Sequence, residues 1–414
     1  MKSTADSLIV KAYYQLGTTK ILMGRLARKN HKIFFEYDTA FIKTGIDLSP
    51  FKLALKSGVI STDDFIFEGL FGVFNDSLPD GWGRLLLDRT LVKRGINPHN
   101  ISPLERLCYV GNNGMGALSY EPEYTNNNLI EYNNLEQLDE IAKHIIQFQE
   151  HDEDKFVEEL LLLNGSSAGA RPKYLVRLLT NHLEHTNSTS NKYSDWIIKF
   201  RSSIDPKDIG AIEYAYHLIA LTAKIDMPEA KLFQSKNTKI GYFGVKRFDR
   251  IDDNKLHMHS ISGLLHLDHR IPSLDYETIM KATWWLTKNI TECKKLFRLA
   301  AFNVYMHNRD DHAKNFSYLL NLDNTWTLSP AYDLTFSSGP SGEHCSTIMG
   351  EGKYPTKIHL LRLAEIGNIN KQDALEIIDE IRSAASKWIE IANNVGVTKR
   401  STTLINQHLQ KLQS

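Results

Sequence analysis

Cysteine is scarce. Only Cys108, Cys293 and Cys345 occur in 414 residues; they are odd in number, far apart and in no CxxC pair, which excludes a disulfide framework and a cysteine-based zinc site and makes a reducing cytoplasm the expected compartment. An excess of either charge is also lacking. Lys plus Arg and Asp plus Glu both number 49, so no global basic field draws the chain to DNA, RNA or anionic lipid, and any nucleic-acid contact is local or borrowed from a partner. Long apolar runs are missing too. The opening MKSTADSLIVKAYYQ has no extended apolar stretch, and no window approaches the roughly 18 apolar residues of a membrane span, so neither export nor insertion is expected. No internal repeat or low-complexity tract stands out.

What is present suits a globular protein with sizeable cores: 42% of residues are apolar and 24% charged. The length implies two or three packed subdomains. SLIVKAYYQ, ILMGRLAR and KIFFEYD read as strands, the last two joined by a turn at Lys29 and Asn30. SLPDGWGRLLLDRTLVKRG offers a turn and then a helix, and Gly111, Gly114 and Gly116 mark tight turns before a short strand. Leu135, Leu138, Ile141, Ile145 and Phe148 recur at helical spacing, KFVEELLLL predicts a second helix, and an N-terminal subdomain is expected to end near residue 149. NGSSAGARPKYLVRLL then reads as a small-residue loop feeding a strand that forms a hairpin with DWIIKF. A helix is predicted over about 209–225, GYFGVKRF is a strand, and from about 275 the chain is mostly helical.

The exception within that helical half carries the chemistry. In HNRDDHAKNFSYLLNLDNTWTLSPAYDL, FSYLL and TWTLS are short strands around the turn NLDN, so the chain folds back and Asp333 is expected beside Asn315 and Asp310. Two carboxylates and an amide oxygen brought together in this way suit a hard divalent ion whose other ligands are phosphates, and the same set serves phosphoryl transfer. One competing reading is a polar turn using local hydrogen bonds. Another is a zinc site on His307, His312 and a carboxylate, against which stands a spacing of five with no third histidine nearby. NGSSAGARPK lets backbone amides approach an anion, with Arg171 or Lys173 adding charge, although it lacks the full GxxxxGK[ST] spacing; a structural turn is the plainer alternative. Lys199, in an otherwise apolar strand, is either an edge charge or a phosphate holder.

Together these segments resemble the HipA-type serine/threonine kinase toxins of bacterial type II toxin-antitoxin systems. SLPDGWGRLLLDR and YVGNNGMGALSYEP are similar to that family's N-terminal segment, SSAGARPK to its phosphate-binding loop, KRFDR to its inter-lobe strand, NRDDHAKNFS to its catalytic loop and LSPAYDL to its metal-binding motif. The resemblance implies an α+β, bilobal, protein-kinase-like fold: an extra N-terminal subdomain over 1–149, an N-lobe over 150–249 and a helical C-lobe over 250–414. It implies ATP and magnesium. Asp310 would orient and deprotonate a substrate hydroxyl, Asn315 and Asp333 would hold magnesium, and His312 and Lys314 would support the phosphates and the loop. Lys199 would grip the nucleotide, the backbone of Ala168, Gly169 and Ala170 would cover it, and Lys246 and Phe248 would meet the adenine. Arg247 and Asp249 form either a structural ion pair or a ligand contact. Ser166 and Ser167 would be regulatory phosphosites or turn caps. The implied partners are a helix-turn-helix, HipB-like antitoxin that carries the DNA contact and a protein substrate such as an aminoacyl-tRNA synthetase, with growth arrest as the outcome. A small-molecule phosphotransferase and an idle scaffold or corepressor are the rival functions.

Overall fold

The computed structural model describes residues 8–17, 19–124, 135–151, 156–164, 169–179, 193–235, 241–251 and 254–413. Its first layer is an antiparallel sheet of β1 (Ile9–Leu16), β2 (Thr19–Lys29), β3 (Lys32–Tyr37), β4 (Val59–Ser61) and β5 (Leu118–Glu121), in the order β4-β3-β2-β1-β5. Alternation drives it: Val10, Ala12 and Tyr14 point inward from β1. The turn between β2 and β3 lies one residue later than the sequence suggested. Lys29 pairs with Lys32, and the connecting residues Asn30 and His31 both take positive φ, 51° and 65°, as a two-residue hairpin loop of the primed kind demands. Phe71, Phe74, Leu104, Leu107 and Tyr120 complete this core.

After α1 (Gly81–Lys93) and α2 (Pro103–Val110), the helices α3 (Leu135–His151) and α4 (Val157–Asn164) lead into the second core. Its sheet, β6 (Lys173–Leu179), β7 (Tyr193–Lys199), β8 (Ala230–Gln234) and β9 (Gly241–Lys246), has the order β6-β7-β9-β8. Trp82 and Leu86 of α1, Ile141, Ile145 and Phe148 of α3 and Leu160 of α4 pack with Tyr174, Val176, Trp196 and Ile198 of the strands. The division expected at residue 149 falls inside α3, whose apolar face belongs to this core.

The third core is helical. It is built from α5 (Ile209–Thr222), α6 (Tyr276–Thr287), α7 (Ile290–Tyr305), α8 (Lys357–Ile366), α9 (Lys371–Ala385), α10 (Trp388–Asn394) and α11 (Lys399–Gln413). In α7 the Asn289 side chain accepts from the Thr291 N–H at 2.9 Å, a standard N-cap, and Cys293, Leu296, Phe297, Ala300 and Val304 bury one stripe. A small sheet of β10 (His257–Ser260), β11 (Ser317–Leu320) and β12 (Trp326–Leu328) joins this lobe to the N-terminal layer. There Asp76 accepts from His259 Nδ1 at 2.6 Å and from the Ser260 amide at 2.7 Å, while His259 Nε2 lies 3.0 Å from Ser49 Oγ. The Ser-His-Asp order is that of a hydrolytic relay, yet His259 is fully buried and Ser49 is 1% exposed. No substrate reaches it, and the trio is a strut between layers.

The architecture is therefore α+β and bilobal, with an added N-terminal layer. All three cysteines are free. Among the described residues no helix is long and apolar enough to cross a membrane.

Candidate active site

The cleft floor is set where α7 ends. His307 takes φ 52°, reversing the chain into the loop 308–316, and the β11–β12 hairpin then folds it back with Tyr318 opposite Leu328. Ser329 N–H donates to the Ser317 carbonyl at 2.9 Å, and the Tyr332 hydroxyl donates to the Lys314 carbonyl at 2.6 Å while lying 2.6 Å from Ser317 Oγ. Tyr332 is thus delivered onto the 314–317 segment, with Asp333 next to it in the chain. Asp333 itself sits at φ 54°, a left-handed conformation that is uncommon for a residue with a side chain and tolerated better by aspartate than by most.

From the sheet lobe, Lys199 reaches down from the end of β7. Its ammonium contacts Asp333 Oδ1 and lies 3.0 Å from Glu213 Oε2. Glu213, 4% exposed on α5, also receives Arg171, whose Nε is 3.2 Å from Asp205. Burial alone would push the Asp333 carboxyl up, but Lys199, Lys173 and Arg171 outweigh it and hold the group well below the usual carboxylate range. Lys173 is buried and its pKa is lowered, by desolvation first, with Asp333 and Asp80 opposing. Arg171, Lys173 and Lys199 converge with an ionised carboxylate on one point.

The two aspartates of the loop differ. Asp311 is buried and satisfied, receiving the Tyr276 hydroxyl at 2.9 Å and the Ser346 amide at 3.2 Å, with His344 Nδ1 at 2.8 Å. Asp310 is exposed; partial desolvation by the loop around it raises its pKa, with His312 opposing and Asp333 and Asp311 adding to the rise. Asn315 Nδ2 donates to the Asp310 carbonyl at 2.7 Å, so the amide oxygen is the atom it could offer to a cation. The donor set of Asn315 oxygen and ionised Asp333 fits a hard cation such as magnesium.

Other predicted positions divide between the cleft and its frame. Gly169 and Ala170 lie at the cleft, whereas Ala168, Ser166 and Ser167 fall outside the described residues. Lys314 Nζ donates to Asp80 at 2.6 Å. His312 stacks edge-on to His269 with ring centroids 5.5 Å apart, and its buried Nδ1 has no partner among the described residues. The Phe248 ring lies 5.6 Å from that of Tyr332. Lys246 is half-exposed at the sheet's end, 3.7 Å from Glu229. The open question about Arg247 and Asp249 is settled by burial: they pair at 2.9 and 2.7 Å with 3% and 0% of the side chains exposed, and Asp249 also takes the Gly116 amide at 2.7 Å. That pair is structural. His307 turns to Phe336 and His408 rather than to His312, and among the described residues no group of three His, Cys, Asp or Glu side chains converges as a metal site.

Glu213, Asp80, Arg309 and Asp311 were not anticipated. Two had a signal: Glu213 is the sole carboxylate in the apolar helix IGAIEYAYHLIALT that follows the lysine strand, and Arg309-Asp310 with Asn315 five residues after Asp310 reproduces the R-D-x-x-x-x-N spacing of a kinase catalytic loop. Arg309 donates to the carbonyls of Gly342 and Lys353, the latter at 2.9 Å, tying the segment after Asp333 to that loop.

A lysine held between a helix carboxylate and a loop aspartate, together with an R-D-x-x-x-x-N loop, is the arrangement of a kinase-like fold. The HipA-like C-terminal domain matches over residues 165–389, more than half of the chain, and the HipA N-terminal domain over 16–121. The chain belongs to the HipA family. A Haemophilus influenzae protein named "Putative kinase" is 25% identical over 181 residues, covering 41% of this chain and 51% of that protein, so the match spans about half the relative's length. Among solved structures, the Shewanella oneidensis MR-1 toxin-antitoxin HipA, from a complex with HipB and operator DNA, superposes with a TM-score of 0.69 at 13% identity, covering 98% of this chain and 96% of that one. The Helicobacter pylori proinflammatory kinase CtkA gives 0.34 at 14% identity over 55% of this chain and 89% of its own, a likeness too low to carry an argument.

Proposed function

We propose that this chain is an ATP- and magnesium-dependent protein kinase that phosphorylates serine or threonine and acts as the toxin of a type II toxin-antitoxin pair. The observation that carries the reading is Lys199 fixed between Glu213 and Asp333, the ion-pair geometry that positions a nucleotide's phosphates in kinases. The exposed Asp310, with its pKa raised by the surrounding loop, is suited to take the proton of an incoming hydroxyl. Because it lies open to solvent, a hydroxyl presented on another protein can reach it. Lys199, Arg171 and Lys173 would face the phosphates, the backbone at Gly169 and Ala170 would cover them, and His312 and Lys314 would back the catalytic loop. A magnesium ion held by Asn315 and Asp333 would neutralise charge on the phosphates. Lys246 and Phe248 would border the base.

The Shewanella complex supports a HipB-like antitoxin as partner, which we propose to be a helix-turn-helix protein, and the balanced charge of this chain agrees with DNA contact made through that partner. A translation component such as an aminoacyl-tRNA synthetase is the proposed target, reached in the cytoplasm, with growth arrest following; Ser166 and Ser167 are the proposed autophosphorylation sites. Phosphoproteomics of cells expressing the chain, against an Asp310→Ala control, tests the reading. A new phosphoserine or phosphothreonine present only with the intact chain is expected. Toxicity that vanishes in the control without any differential phosphosite would point to a small-molecule substrate, and toxicity unchanged by the substitution to a scaffold role.

A further inference from the structure

Asp80 stands at the N-cap position of α1, where an aspartate ordinarily accepts from its own helix. Here the side chain makes no capping bond. Its carboxylate is diverted into the cleft, where one oxygen accepts the Gly169 N–H of the small-residue loop and the other accepts Lys314 Nζ of the catalytic loop at 2.6 Å, with His269 Nε2 at 3.9 Å. The two loops belong to opposite lobes, and Asp80 belongs to neither loop. The backbone beside it is tied to the same loop: Trp82 N–H donates to the Gly169 carbonyl at 3.1 Å, and Trp82 is locked in the sheet-lobe core. Gly81, at φ +44°, lies so close that a Cβ there would sit 2.7 Å from Ala170 Cα. Lys314, the Gly169 amide and nearby Lys173 keep the Asp80 carboxyl ionised against the burial that opposes it.

We infer that Asp80 is a positioning residue that fixes the small-residue loop and Lys314 in one register, so that the N-terminal layer assembles the phosphate site from two lobes. The inference rests on the kinase reading for its catalytic consequence alone. A carboxylate that merely stood in for a phosphate would turn away when nucleotide arrives, and removing it would tighten nucleotide binding.

The test uses the full chain with Asp80→Asn, which keeps an acceptor for Gly169 but loses the charge facing Lys314, and Asp80→Ala, which loses both. Amide hydrogen exchange is read without nucleotide at Gly169 and at the first turn of α1. Exchange at Gly169 should quicken by about tenfold or more in Asp80→Ala and less in Asp80→Asn, the scale of one hydrogen bond to a charged group. A change confined to α1, with Gly169 unaffected, would mean an ordinary helix cap and overturn the inference. The KM for MgATP should rise by about tenfold in Asp80→Asn, and Lys314→Met should add little in that background, because both act through one contact. An unchanged KM, or tighter nucleotide binding, would also overturn it. Should the unaltered chain transfer no phosphate, the kinase reading fails while exchange at Gly169 still decides the strut.

Discussion

Lys199 and Glu213 meet at 3.0 Å across the boundary between the sheet lobe and a helix whose other side is packed into the helical lobe. The pair is the point at which the two lobes agree on where phosphates would lie. Substituting Glu213→Gln removes the charge without changing the shape, and Lys199 keeps Asp333 as a partner, so we expect a stability loss of only about 1–2 kcal/mol. Activity should suffer far more. We predict a fall in kcat/KM for ATP of about a hundredfold, since Lys199 is then drawn toward Asp333 and out of register. Steady-state kinetics beside urea unfolding separates the two effects.

The adjacent aspartates make a sharper contrast. Asp310→Asn should abolish phosphate transfer and leave stability within about 0.5 kcal/mol, because the side chain is exposed. Asp311→Asn should do the reverse in kind. It removes a buried charge that Tyr276, His344 and Ser346 all face, at a cost of about 3 kcal/mol, with activity falling only as the folded fraction falls. Thermal melts and activity per folded molecule check both.

The dependence on pH follows from the same environments. As the proposed general base, Asp310 must be deprotonated, and its pKa is raised, so activity should be full above that raised value and fall as pH drops through it, at a higher pH than an ordinary aspartate would give. Stability has its own window. His257 is buried with a pKa lowered to about 3 by desolvation, then by His259; His217 and His307, also desolvated, lie at about 4. Their ordinary value is near 6.5, so below it the unfolded chain binds protons that the folded chain refuses. Stability should be complete above about pH 6.5 and fall toward pH 4, by up to about 1.4 kcal/mol per pH unit for each histidine. Urea midpoints at pH 7.5, 6 and 5 would show the slope, and a flat profile would contradict it.

Much of the fold was legible because its signals are local. Val10, Ala12 and Tyr14 alternate, the α3 and α7 stripes keep helical spacing, and the NLDN turn between two short strands announced the return of Asp333. The kinase-loop spacing at Asp310 and Asn315 was legible too, in the resemblance of whole motifs. What escaped lies in contacts between distant segments. β10 reads HMHS, with no alternation to mark a strand, and gains its order by pairing with β11 more than fifty residues later. Asp76 and Asp80 look like turn residues in SLPDGW and its approach, yet their partners lie 184 and 234 residues away. A carboxylate's role at such a joint is set by what the other lobe brings to it, and no local pattern encodes that.

The proposed function requires one pocket, built from Lys199, Asp333 and the Asp310–Asn315 loop, to take ATP together with magnesium. Titration calorimetry of the full chain with ATP, with and without magnesium, tests it most directly, with Asp333→Asn as the comparison. The account predicts a single site whose affinity requires magnesium and is lost in the variant. Nucleotide binding that is indifferent to magnesium and unchanged by Asp333→Asn would contradict it.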